Sequence, residues 1–134
     1  MKRLSLLVVL LLVGSVVMSA CGGSGDTPSS VVKAWNEATS ATMDAAKAKS
    51  LTCASFQPMI DAAIGMMQAA GAKTDLSALK YEESNVTATS AVVRVYGKIK
   101  VDIAGTVTEQ DYDQPVDVIK EGGKWVACPK MPTP

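Results

Sequence analysis

Three cysteines, a scatter of carboxylates and three tyrosines, with no histidine at all, are what this 134-residue chain has for chemistry. A thiol can carry an acyl chain, close a disulfide or ligate a soft metal, and each use needs different neighbours. Cys21 ends an uncharged apolar run and is followed at once by Gly22-Gly23-Ser24-Gly25. Cys53 and Cys128 sit far apart, neither in a CxxC, and without histidine the pattern is not that of a zinc site. Glu109, Asp111 and Asp113 alternate, so an extended backbone puts their carboxylates on one side, as calcium ligands would need. No DxDxDG loop accompanies them, and we read this stretch as a hydrated acidic loop. No phosphate loop or Ser/His/Asp set is present.

The elements that must place these residues begin with the amino terminus. Lys2 and Arg3 precede LSLLVVLLLVGSVVM, which is free of charge. A basic start, an apolar stretch and small residues before a cleavage point describe an export signal. The run of about 15 residues is shorter than the roughly 20 a membrane-spanning helix needs. Met18-Ser19-Ala20-Cys21 resembles the lipobox of bacterial lipoproteins: an aliphatic residue, two small ones, then a cysteine that becomes the lipidated amino terminus. The resemblance implies that residues 1–20 are cleaved and that Cys21 is lipidated, anchoring the protein on the extracytoplasmic face of a bacterial membrane. Residues 21–28 are then a flexible tether.

Loss of residues 1–20 leaves one small domain with a single core. Of 13 basic residues, Lys2 and Arg3 leave with the signal, so 11 remain against 13 acidic ones, a charge of about −2. That balance offers no footprint for nucleic acid. With Cys21 acylated, Cys53 and Cys128 remain as a pair in an oxidising compartment, where small domains are commonly stapled. We favour that disulfide over two free buried thiols.

Pro28-Ser29-Ser30 reads as a helix start. Val31, Val32, Trp35, Ala38, Thr42 and Ala46 form an apolar stripe that loosens between Thr39 and Asp44, where Asp44 is placed to cap a second helix, Ala45 to Leu51. Pro58 opens a third helix, with Met59, Ala63, Met66, Met67 and Ala70 as its core stripe and Gly71 as its C-cap. The methionines read as core filler, not as a metal site. From Leu79 the period changes to two: strands are expected near Lys80 to Thr87, Ala91 to Ile103 and Pro115 to Ile119. Glu121-Gly122-Gly123-Lys124 then turns into a last strand, Trp125 to Cys128, and residues 129–134 form a Pro-rich tail.

Helices first and strands later predict an α+β fold. VVKAWNEAT, then AAKAKSL, a further helix and a sheet ending in EGGKWVAC resemble the nuclear transport factor 2-like superfamily (a cystatin-like cone). Within it, the pattern is similar to small bacterial lipoproteins with a domain of unknown function. Trp35 stands where an aromatic is common there, and Gly123-Lys124-Trp125 matches the final hairpin. The resemblance covers residues 29–128 and implies a cone, with N-terminal helices packed in the concave face of a curved antiparallel sheet, that often encloses a cavity. Gly105 to Gln114 departs from it, being longer and more acidic than a simple hairpin loop. Trp35, Phe56, Tyr81, Tyr96 and Trp125 are expected to line or close the interior. No cofactor is expected. The reading reached is a non-enzymatic envelope module whose partners are the membrane, through the lipid on Cys21, and a small apolar ligand, an envelope protein or a second copy. The alternative is a cavity-bearing enzyme or a lipid or small-molecule carrier of the ketosteroid-isomerase-like type, for which the resemblance implies an acid or base from Asp61 or Asp102 and a donor from Tyr81 or Tyr96.

Overall fold

A computed structural model describes residues 27–130; the expected signal segment, Cys21 and most of the expected tether lie outside them, as do residues 131–134. The first helix, α1 (Pro28–Asn36), is fixed at its start by a capping box. Thr27 Oγ1 accepts from Ser30 N–H at 3.2 Å, and Thr27 N–H donates back to Ser30 Oγ at 3.1 Å, so two otherwise orphaned donors are satisfied. Glu83 on the sheet takes a third, from Ser29 N–H at 2.8 Å. Thr27 and Pro28 thus belong to the helix and not to the tether.

α1 does not end cleanly. It widens into a π-helical turn, Glu37–Ala41, closed by a bond from Thr42 N–H to Glu37 O. Met43 follows at φ +52°, and Asp44 caps α2 (Ala45–Ser50) by accepting from Lys47 N–H at 3.0 Å. The widened turn and the left-handed residue shift the helical phase. Thr42 and Ala46, expected on the apolar stripe, are consequently exposed, and Ala48 is buried in their place.

Helix α3 (Gln57–Ala69) corrects a second expectation. Its buried face is Ile60 and Ile64, with Met67 half-buried, whereas Ala63, Ala70 and Met59 are exposed and Met66 is 70 % exposed. The helix is apolar on nearly every side, so spacing alone could not choose the stripe. The neighbours choose it, since α3 packs against α2 and the π-helical turn through Ile60 and Ile64.

The sheet is antiparallel and strongly curled, so the fold is α+β. Its centre is two long strands, β3 (Ser90–Ile103) and β4 (Thr106–Glu121), paired along their whole length from Ser90↔Ile119 to Ile103↔Thr106. β1 (Ala72–Asp75) and β2 (Lys80–Ser84) share the other edge of β3, β1 on 100–103 and β2 on 92–96. β5 (Lys124–Ala127) continues from the far end of β4. β1 was not foreseen. β4 starts well before the expected Pro115 and absorbs the segment read as an acidic loop. There Asp113 receives two bonds from Arg94, at 2.9 and 2.6 Å, and Asp111 one from Lys98 at 2.9 Å. Those cations from β3 make an acidic segment acceptable as a strand.

α1 lies in the concavity, where Val32 meets Val93, Val95, Val116, Val118 and Ala127. Thr52 and Cys53 close the side, the loop between α2 and α3 pairing with β5 through Cys53 N–H to Ala127 O at 2.8 Å. The sulfurs of Cys53 and Cys128 lie at disulfide distance, with the Cα atoms 5.2 Å apart, a separation suited to the bond. The described elements, with both buried clusters and the Cys53–Cys128 pair, form a continuous core within 27–130.

Candidate functional site

The interior changes character at Gly97. On β3 the odd-numbered residues face inward: Ala91, Val93 and Val95 are buried, then Gly97 pairs with Tyr112, and Ile99, Val101 and Ile103 follow. Gly97 is required by its surroundings. It sits at φ +136°, and a Cβ there would be 2.5 Å from the carbonyl oxygen of Ala78, in the loop joining β1 to β2. That crossing explains why β1 and β2 share an edge yet leave a gap between them.

A pocket of about 240 Å³ opens between the π-helical turn, α3 and the inner wall of the sheet. Ile99, Val101, Leu76, Leu79 and Met67 make it apolar. Its polar wall is Asn36, Ser40, Thr74 and Tyr112, and no charged side chain lines it. Beyond Val101 the concavity continues as a shallower depression of about 420 Å³, bounded by Ile103, Thr106, Thr108 and Gln110.

Asn36 is the unusual member. It stands one helical turn after Val32, on the packed face of α1, and is only 7 % exposed. Its Nδ2 is closed off from solvent and has no hydrogen-bond partner among the described residues. A buried amide donor left unpaired costs about 1–3 kcal/mol, so a fold that keeps one calls for an explanation. Burial pushes the Tyr81 phenol up, and the nearby Asn36 side chain offsets part of that rise without making a bond of good geometry. Burial alone raises the Tyr112 phenol, which therefore stays neutral and able to donate.

The other expected residues are dispersed. Trp35 packs under the sheet and donates from Nε1 to Thr52 Oγ1 at 2.9 Å, and the Thr52 hydroxyl in turn donates to Ala48 O at 2.6 Å. Phe56 is half-buried beside Ile60 and Ile64, and Trp125 closes one edge of the core with Lys120 Nζ 4.9 Å from its ring. Tyr81 packs against the valine core. Tyr96 does not line the interior. It shares its face with Arg94 and Lys98, on the convex side, where the Arg94 guanidinium lies 4.8 Å from its ring centroid.

Asp61 pairs with Lys49 on the exposed side of α3, and Asp102 accepts from Gly105 N–H at 2.9 Å in the turn between β3 and β4. Neither carboxylate enters the pocket with a tyrosine. Glu109, Asp111 and Asp113 share one face as their alternation demands, but they face Lys98 and Arg94. Among the described residues no three acidic or cysteine side chains are placed to hold a metal ion. Nor, among them, is any helix long and apolar enough to cross a membrane. The sequence reading missed Asn36, Tyr112, Ile99 and Val101. Asn36 left one trace, a polar residue one turn beyond Val32, beside the apolar Val31, Val32, Trp35 and Ala38. Compared with known proteins, the chain matches no family model and no curated protein.

Proposed function

We propose that this protein is a lipoprotein held by Cys21 on the extracytoplasmic face of a bacterial membrane. Its domain, a cone of the nuclear transport factor 2-like or cystatin-like type, is a non-enzymatic binding module for a small apolar ligand. The observation that carries this reading is the apolar pocket beyond Gly97, walled by Ile99, Val101 and Leu79 and free of charge. Pockets that take small organic ligands are concave and mostly apolar, with a few polar groups to fix orientation. The missing carboxylate favours binding over acid–base catalysis, because a tyrosine alone supplies only a donor.

The tether fits the same role. Each buried acyl CH₂ adds about 0.8 kcal/mol to membrane attachment, so two or more chains hold the domain within a few residues of the bilayer. A neutral apolar ligand leaving that bilayer has little water to cross. Residues 22–134, made without the lipid, should take up the neutral dye N-phenyl-1-naphthylamine saturably and at one site. Val101→Lys should abolish the uptake, and dye binding indifferent to that change would rule the pocket out. Separately, Cys21→Ser should lose both lipid labelling and membrane fractionation, and a labelled variant would overturn the anchor.

A further inference from the structure

We infer that the ligand of this pocket is an uncharged apolar molecule bearing a carbonyl-type hydrogen-bond acceptor, and that Asn36 is the residue that recognises it. The inference rests on the pocket being a binding site, as proposed above, and adds the chemistry of what enters. Nδ2 of Asn36 has no partner among the described residues although the side chain is 93 % buried, taking the remainder of its 7 % exposure. The residue lines the same pocket as Ile99 and Val101. A group left in this state is satisfied only by something that arrives with a lone pair. The amide turns about a soft terminal torsion, so it can present Nδ2 to the pocket as the ligand seats.

Charge is excluded from the ligand by the walls. No Lys, Arg, Asp or Glu lines the pocket, and an ion taken from water into an apolar site without a counter-charge is strongly disfavoured. Size sets a further bound. A volume of about 240 Å³ matches roughly eight waters at about 30 Å³ each, a small ring with a short chain. Longer tails have somewhere to go, since the depression past Val101 leads along the inner face toward Ile103. The acceptor then sits at Asn36 and the tail runs over Ile99 and Val101.

The experiment compares three probes on residues 22–134: butyrophenone, its hydrocarbon counterpart butylbenzene, and the anion 4-phenylbutyrate. Each is titrated into the wild-type domain and into Asn36→Leu, which keeps the side-chain bulk and removes the unpaired donor. We expect Asn36→Leu to weaken butyrophenone about tenfold and to leave butylbenzene unchanged or tighter. Phenylbutyrate should bind least in both proteins. If the two neutral probes respond alike to the substitution, the acceptor inference fails while the pocket stands. If neither neutral probe binds the wild type, the binding module itself fails. Should Asn36→Leu not fold, Asn36→Ala read against the wild type's own preference for ketone over anion gives the same decision, and stronger binding of the anion would overturn the inference.

Discussion

The two halves of one β-hairpin behave as different materials. Between Ala91 and Val95, β3 meets Val116 and Val118 under α1, and the space is filled by valine. Between Ile99 and Ile103 the same strand faces Gln110, Thr108 and Thr106, and the last residue of α1, Asn36, lines the open pocket beside it. Ile103 there is 48 % exposed. Gly97 opposite Tyr112 marks the border. The packed half supplies stability, and the open half is free to be a site because the fold does not depend on closing it.

This contrast is best broken from the stabilising side first. Replacing Cys53 and Cys128 together by Ala opens a loop spanning 75 residues and should cost about 4 kcal/mol, read as a lower denaturation midpoint. An unchanged midpoint would show that the packed half does not need its staple. Gly97→Ala should cost about 3 kcal/mol, from the clash with Ala78 O and the left-handed backbone, and it should disturb the border between the halves. Val95→Ala should cost about 2 kcal/mol, whereas Val101→Ala, in the open half, should cost less than about 1 kcal/mol and weaken apolar probes instead. Equal losses at both positions would erase the distinction.

The smallest effect lies on the convex face. The bond from Arg94 holds the Asp113 carboxyl below its usual range. A depressed folded-state value means the contribution is present above the ordinary aspartate range and is lost as pH falls through the folded value. Asp113→Asn should therefore differ slightly from wild type at neutral pH, and the two stability curves should merge in acid. Curves that stay parallel to low pH would contradict the pairing.

What the sequence made legible were features written locally. The helix start at Pro28, the cap at Asp44, the C-cap at Gly71 at φ +63° and the Gly122-Gly123 turn each depend on residues within one turn of each other. The first half of β4 was illegible because Asp111 and Asp113 gain their acceptability from Lys98 and Arg94 on another strand. The face of α3 was illegible for the opposite reason, too many apolar residues to choose among. Tyr96 was legible and misread: it shares its parity with Arg94 and Lys98, which placed it outside. The pocket lies where three distant segments meet, at Asn36, Met67 and Val101, and no local pattern encodes such a meeting.

The most direct test of the two-halves account is a residue-resolved NMR titration of the lipid-free domain with butylbenzene, following methyl and amide shifts. The account predicts saturable movement at Ile99, Val101, Met67 and Leu79, with Val93, Val95 and Val118 still. Movement confined to the valine half or the convex face, or none at any concentration the probe reaches, would contradict it.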